Sequence, residues 1–228
     1  MKMKIKNADI VYPAHLLSGK SNRLFLSCGG RSNRSILAGQ EVCEAIQIYF
    51  DSFLEGKITV DFIEKAIRMA EIRLSEFQKK HHEQQGFFTS LSLFYLADDC
   101  VYLAQIGESS ICQIRENQVI MKMIDASIDR KLCGVHKPVE INVVSLKDIR
   151  ANDCFFICNN IYLSSEDEQA IMLIIAEFPQ MEDYMAHIKQ YFLNRYKQTF
   201  SGHLIPIEQI HEPRTIKQWM DSLVYSFI

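Results

Sequence analysis

The sequence has few residues of the kind that build linkers. Its 9 glycines and 5 prolines never gather with serine into a stretch that would join separately folded units, so residues 1–210 read as one domain. No run of 18 apolar residues occurs, which excludes a membrane-spanning helix. Neither charge dominates: 25 Lys and Arg stand against 28 Asp and Glu, a net charge of −3. The basic footprint needed for nucleic acid or an anionic membrane surface is missing, and neither partner is expected. The chain opens without a charged-then-apolar leader, which points to a cytoplasmic location. It also lacks a glycine-rich phosphate loop of Walker or Rossmann spacing and a nucleophile elbow.

Seven cysteines are present (28, 43, 100, 112, 133, 154, 158), an odd count, and most sit inside apolar runs. Cys154 and Cys158 lie four apart on a strand-like segment, so both face one side, and no second Cys or His pair follows at metal-finger spacing. Reduced core thiols are the reading this supports. His81 and His82, beside Lys79 and Lys80, read as the solvated end of a helix, where positive charge complements the dipole.

What is there is patterned. "RLFLSC" (Arg23 to Cys28) reads as a strand broken at Gly29-Gly30. From Ser35 to Leu54, residues Val42, Ala45, Ile46, Tyr49, Phe50 and Phe53 recur at helical steps. A second helix carries Phe62, Ile63, Ala66, Ile67, Ala70, Leu74 and Phe77 on one face, with Asp61 and Glu64 as its capping box. Alternating runs joined at Ala97-Asp98-Asp99 and at Glu116-Asn117 then predict a meander of hairpins. "VEINVVSL" and "DCFFICNN" continue the strands, and "SSEDE" caps and charges the first turn of a following helix. Helices fall within 166–178 and 181–196. "HLIPIEQI" closes the pattern as a strand placed at an edge by Pro206. The order predicts an α+β protein of antiparallel sheet with helices packed on its faces.

Six of these pieces, in order, resemble the metal-dependent type 2C protein serine/threonine phosphatase family over about residues 4 to 208. "KIKNAD" resembles its R-x-x-N-x-D opening, "LFLSCGGRSN" with the helix "AGQEVCEAI" its L-F-x-V-x-D-G-x-G-G segment, and "GFFTSLSLFYLADDCVYLAQIGESSICQIRENQV" its G-T-T strand, hairpin and G-D-S-R segment. "IDAS" is similar to D-H-S, "DCFFICNNIY" to G-D-x-F-x-x-C-S-D-G-L, and "QTFSGHLIPI" to the closing D-N-x-T strand. The resemblance implies a four-layer α-β-β-α sandwich of two antiparallel sheets flanked by helices. It also implies two magnesium or manganese ions between the sheets, where a bridging water attacks the phosphate. Hard divalent ions require anionic oxygens for that chemistry.

The matching slots are neutral here. The first acid-glycine pair becomes Gly29-Gly30, the second acid Asn160 with Asn159 before it, and the third Gln198. Of the acids the resemblance assigns to the metals, Asp9 remains. The arginine slot for phosphate holds Lys4, which lacks the bidentate fork. The stretch between Asp125 and Asp153, where the family carries a flap, is short, and "DRKLCGVHKP" keeps little of it. These departures predict a catalytically inactive relative that binds no metal and acts as a regulatory module for an unknown protein partner. The alternative is a divergent phosphoprotein phosphatase with a single metal on Asp9, Asn160, His203 and one of the other acids.

Beyond the last strand, residues 211–228 form an extension in which Ile216, Trp219, Met220, Leu223, Val224 and Phe227 fall on one helical face after Pro213. This stripe either covers its own domain or joins two chains as a homodimer.

Overall fold

The structure is a computed structural model that describes residues 3–5, 9–11, 23–29, 32–52, 57–81, 87–124, 132, 139–159, 163–178, 181–196 and 201–209. Among the described residues ten strands and four helices follow in the order β1 (Met3–Ile5), β2 (Asp9–Val11), β3 (Leu24–Gly29), α1 (Asn33–Ser52), α2 (Val60–Lys80), β4 (Ser90–Leu96), β5 (Val101–Ile106), β6 (Ser109–Arg115), β7 (Gln118–Ile124), β8 (Asn142–Leu146), β9 (Cys154–Asn159), α3 (Ser165–Glu177), α4 (Met181–Tyr196) and β10 (Ser201–Gln209). One sheet runs β1-β10-β9-β6-β7, with β2 also paired to β10; the other runs β3-β4-β5-β8, and every pairing is antiparallel.

Period-two alternation sorts the strand residues into three layers of core. Leu24, Leu26, Leu91, Leu93 and Ala104 face α1 and α2, where they meet Val42, Ile46, Ile63, Ile67 and Leu74. Cys112, Phe156, Cys158 and Leu204 face α3 and α4, against Ile171, Ile188 and Phe192. Phe25, Phe94, Leu103, Ile111, Phe155, Ile157 and Ile205 fill the space between the sheets. Because both faces of both sheets are covered, β3, β5 and β9 are buried along their whole length. This is the four-layer sandwich, and the apolar stripes read from the sequence are its helix-to-sheet contacts.

The local signals behave as chemistry requires. Glu116 and Asn117 both have positive φ, 50° and 60°, the geometry of the primed hairpin turns that match strand twist. Ser164 caps α3: its Oγ accepts from Asp167 N at 3.2 Å while Asp167 Oδ2 accepts from Ser164 N at 2.9 Å, a reciprocal capping box. α2 differs from expectation. Its cap is Thr59, whose Oγ1 accepts from Phe62 N at 3.2 Å, so Asp61 lies inside the first turn and pairs with Lys65 instead of capping. The six described cysteines are buried and form no disulfide among the described residues, and burial pushes the Cys112 thiol up to about 12 and raises those of Cys28, Cys154 and Cys158. Such thiols are inert packing groups.

β10 is not an edge strand. It lies between β9 on one side and β1 and β2 on the other, yet it tolerates Pro206. Among the described residues β2 covers Gly202–Leu204 and β1 covers Ile207–Gln209, and none pairs with Pro206 on that side. The Ile207 N–H points toward β9, where it meets Asp153 O at 2.8 Å, so the position of Pro206 that lacks an N–H faces away from β9. On the β9 side, Gly202 is needed for close approach, since a Cβ there would lie 2.6 Å from Ile157 O.

Candidate functional site between the sheets

The ends of β3 and β9, the start of β6 and the start of β10 meet at one end of the sandwich. Gly29 closes β3 opposite Ser90, and Asn159 closes β9 between Ser109 and Ser201. Pleat alternation puts Ser27, Ser90, Ser92, Gln105, Ser109 and Asn159 on the inner faces at this end, and all are buried. Gly39 brings α1 against the same point: a Cβ on it would come within 3.2 Å of the Cys28 and Gly29 backbone.

Ser90, Ser92, Gln105 and Ser109 each donate to a backbone carbonyl, while Gln105 Oε1 is buried with no hydrogen-bond partner among the described residues. The Gly29 carbonyl accepts from Thr89 Oγ1 at 3.1 Å and from Ser90 Oγ at 3.0 Å. Ser92 Oγ crosses from one sheet to the other and donates to Cys158 O at 2.9 Å, and Ser109 Oγ crosses back to Leu91 O at 3.1 Å. Gln105 Nε2 donates to Ser109 O. One layer deeper, His203 Nε2 donates to Leu26 O at 3.0 Å. Since a carbonyl only accepts, the proton sits on Nε2, and Nδ1 has no hydrogen-bond partner among the described residues. Burial drives the His203 pKa down to about 4 despite the opposing Leu26 contact, so the ring is neutral at pH 7.

The sequence-derived site residues divide as follows. Gly29 and Asn159 come together at this end. Lys4 and Asp9 both lie on strands paired to β10, but Asp9 is opposite Leu204 and Lys4 opposite Glu208. Four residues of strand separate those levels, about 13 Å at a strand's rise, with Lys4 further from the site end. Gly30, Asn160, Gln198, His82 and Cys133 lie outside the described residues, as does the stripe from Ile216 to Phe227. The sequence reading missed the hydroxyls of Thr89, Ser90, Ser92 and Ser109. Their signal was visible as serines at period two in the otherwise apolar "TSLSLFYL". It also missed Glu108, a half-buried acid in the β5–β6 turn at the same end.

No family model and no curated protein matches the chain. Solved structures do. The catalytic domain of the serine/threonine protein phosphatase PstP in complex with two manganese ions aligns with 91% of this chain and 100% of its own, at 15% identity and a TM-score of 0.68. Stp1 from Staphylococcus aureus aligns with 90% and 95% at 13% identity and 0.70, and the PPM phosphatase MsPP from Mycobacterium smegmatis, in complex with cacodylate, with 90% and 99% at 13% and 0.68. The fold is that of the PPM-type serine/threonine phosphatases.

A PPM-type manganese pair needs a cluster of carboxylates, and the described residues do not fit one. Among them, no group of three His, Cys, Asp or Glu side chains is placed to hold a metal ion. The two described fully buried acids are engaged elsewhere. Asp153 binds Arg115 through two bonds of 2.7 and 2.8 Å and Gln113 Nε2 at 2.9 Å. Asp167 receives Ser164 Oγ, Tyr191 and Tyr196; burial alone would raise its carboxyl, but these hydrogen bonds outweigh it and hold the pKa below the usual range. Among the described residues no helix is long and apolar enough to cross a membrane.

Proposed function

We propose that this chain is a pseudophosphatase, a PPM-type fold kept as a cytoplasmic binding or regulatory module for a protein partner after loss of the metal centre. The observation that carries this reading is Gly29. It stands where the resemblance puts the first metal-binding acid, offers no side chain, and has its carbonyl taken by Thr89 and Ser90. Around it, direct bonds from Ser92 and Ser109 join sheet to sheet in the zone where a hydrolase of this fold would need ions and water. Asn159 and the neighbouring Asn160 provide amide oxygens without charge, and three replaced acids leave two dications facing too little negative charge to hold them.

The single-metal alternative would draw on His203 Nδ1, since Nε2 donates to Leu26 O, but among the described residues no group of three His, Cys, Asp or Glu side chains is placed to hold an ion. The test is hydrolysis of p-nitrophenyl phosphate and of a phosphoserine peptide with and without manganese. No metal-stimulated turnover is expected. Turnover that rises with manganese and disappears in Asp9→Ala would overturn the proposal.

A further inference from the structure

At the end of the sandwich opposite Gly29 and Asn159, a depression of about 330 Å³ opens beside the β4–β5 turn. Met3, Leu96, Ala97 and Ile149 form its apolar walls, with Asp99 and Lys147 among its polar ones. Leu96 is part of the inter-sheet core, and Met3 and Ile149 pack against that core while staying partly exposed. The depression is thus a place where the core between the sheets reaches the surface. Across the Ala97–Cys100 turn lies a second depression of about 480 Å³, bounded by Arg23, Lys57, Ile58 and Tyr95.

β10 ends at this same place. Gln209 pairs with Met3, so the chain leaves the sheet one strand spacing from a wall of the first depression. Six residues lie between Gln209 and Ile216, a span of at most about 25 Å when extended. The segment that follows is the one carrying Ile216, Trp219, Met220, Leu223, Val224 and Phe227 on one helical face. Exposed apolar residues also occur elsewhere, among them Ile48 on α1, Met69 and Ile72 on α2, Ile120 on β7 and Leu173 on α3.

We propose that the amphipathic segment 216–227 docks in cis in the depression walled by Met3, Ala97 and Ile149, closing the inter-sheet core at the end where β10 finishes. The proposal is independent of whether the chain hydrolyses phosphate. Apolar contact drives it, as a stripe holding a tryptophan and a phenylalanine gains by leaving water for an apolar wall.

The chain has one tryptophan, Trp219, so the emission of the full-length protein reports this segment alone. The expected result is a blue-shifted maximum, poorly quenched by iodide and unchanged on dilution. Ile149→Glu should shift it to the red and raise quenching while the far-UV circular dichroism stays native. Ala97→Arg, at the partly buried start of the β4–β5 turn, should do the same, with native far-UV circular dichroism as the check that the core is kept. Wild-type emission typical of water-exposed indole would overturn the proposal. So would a blue shift lost on dilution with the sedimenting species falling from dimer to monomer, which would show that the stripe joins two chains. Emission unchanged in a natively folded Ala97→Arg protein would also overturn it, by placing the segment elsewhere.

Discussion

The imidazole of His203 donates to the carbonyl of Leu26 across 3.0 Å, tying β10 in the middle of one sheet to β3 at the edge of the other. Phe25 meets the same ring nearly edge-on, with centroids 5.6 Å apart. The contact fixes the neutral form, because a second proton on Nδ1 would be buried without a partner.

Stability should therefore fall in acid. The folded-state pKa of about 4 lies below that of an unfolded histidine, so between roughly pH 6.5 and 4 the unfolded chain binds a proton that the folded one refuses. His203 then contributes a loss of about 2 kcal/mol between pH 7 and 5. Urea denaturation at the two pH values measures it. His203→Gln should remove that part of the slope, and an unchanged slope in the variant would show that the ring is not the group titrating.

The buried ion pair makes a second prediction. Asp153 is fully buried, and its hydrogen bonds, with those of Asp148, push the Arg115 pKa further up, so the guanidinium stays charged. Arg115→Met leaves Asp153 without its main partner and should destabilise the fold by about 3–5 kcal/mol. The double variant Arg115→Met with Asp153→Asn should recover much of that loss. Thermal melts of both proteins check this, and equal destabilisation in the two would contradict the pairing.

Much of the fold was legible because its signals are local. The α2 stripe from Phe62 to Phe77 and the turn at Glu116-Asn117 depend on neighbouring residues alone, and both appear as read. Pro206 misled because a missing N–H excludes a central strand only where that N–H is needed for pairing, and which residues of β1 and β2 lie opposite β10 is a tertiary fact. The resemblance assigns neutral residues, Gly29 and Asn160 with Asn159 before it, to the metal slots. The hydroxyl bonds that join the sheets could not be read in this way, since Ser92 and Cys158 are 66 residues apart and meet only when the two sheets stack.

Those bonds and the tight β9–β10 contact can be probed directly. Ser92→Ala removes the donor to Cys158 O and should lower stability by about 1 kcal/mol. Gly202→Ala forces a Cβ against Ile157 O and should destabilise by about 1–3 kcal/mol, by moving β10 away from β9. Guanidinium midpoints decide both. A Gly202→Ala protein as stable as wild type would mean the strands are further apart than described.

The most direct test of the account is a calorimetric titration of the full-length protein with manganese. Gly29, Asn160 and Gln198 offer no negative charge, and the described buried carboxylates are bound to Arg115, Arg195 and tyrosine hydroxyls. The account predicts no saturable heat up to millimolar ion and, by linkage, the same melting temperature in EDTA and in manganese. A saturable heat with a rise of melting temperature, both lost in Asp9→Ala, would show that a working metal site remains and would contradict the central claim.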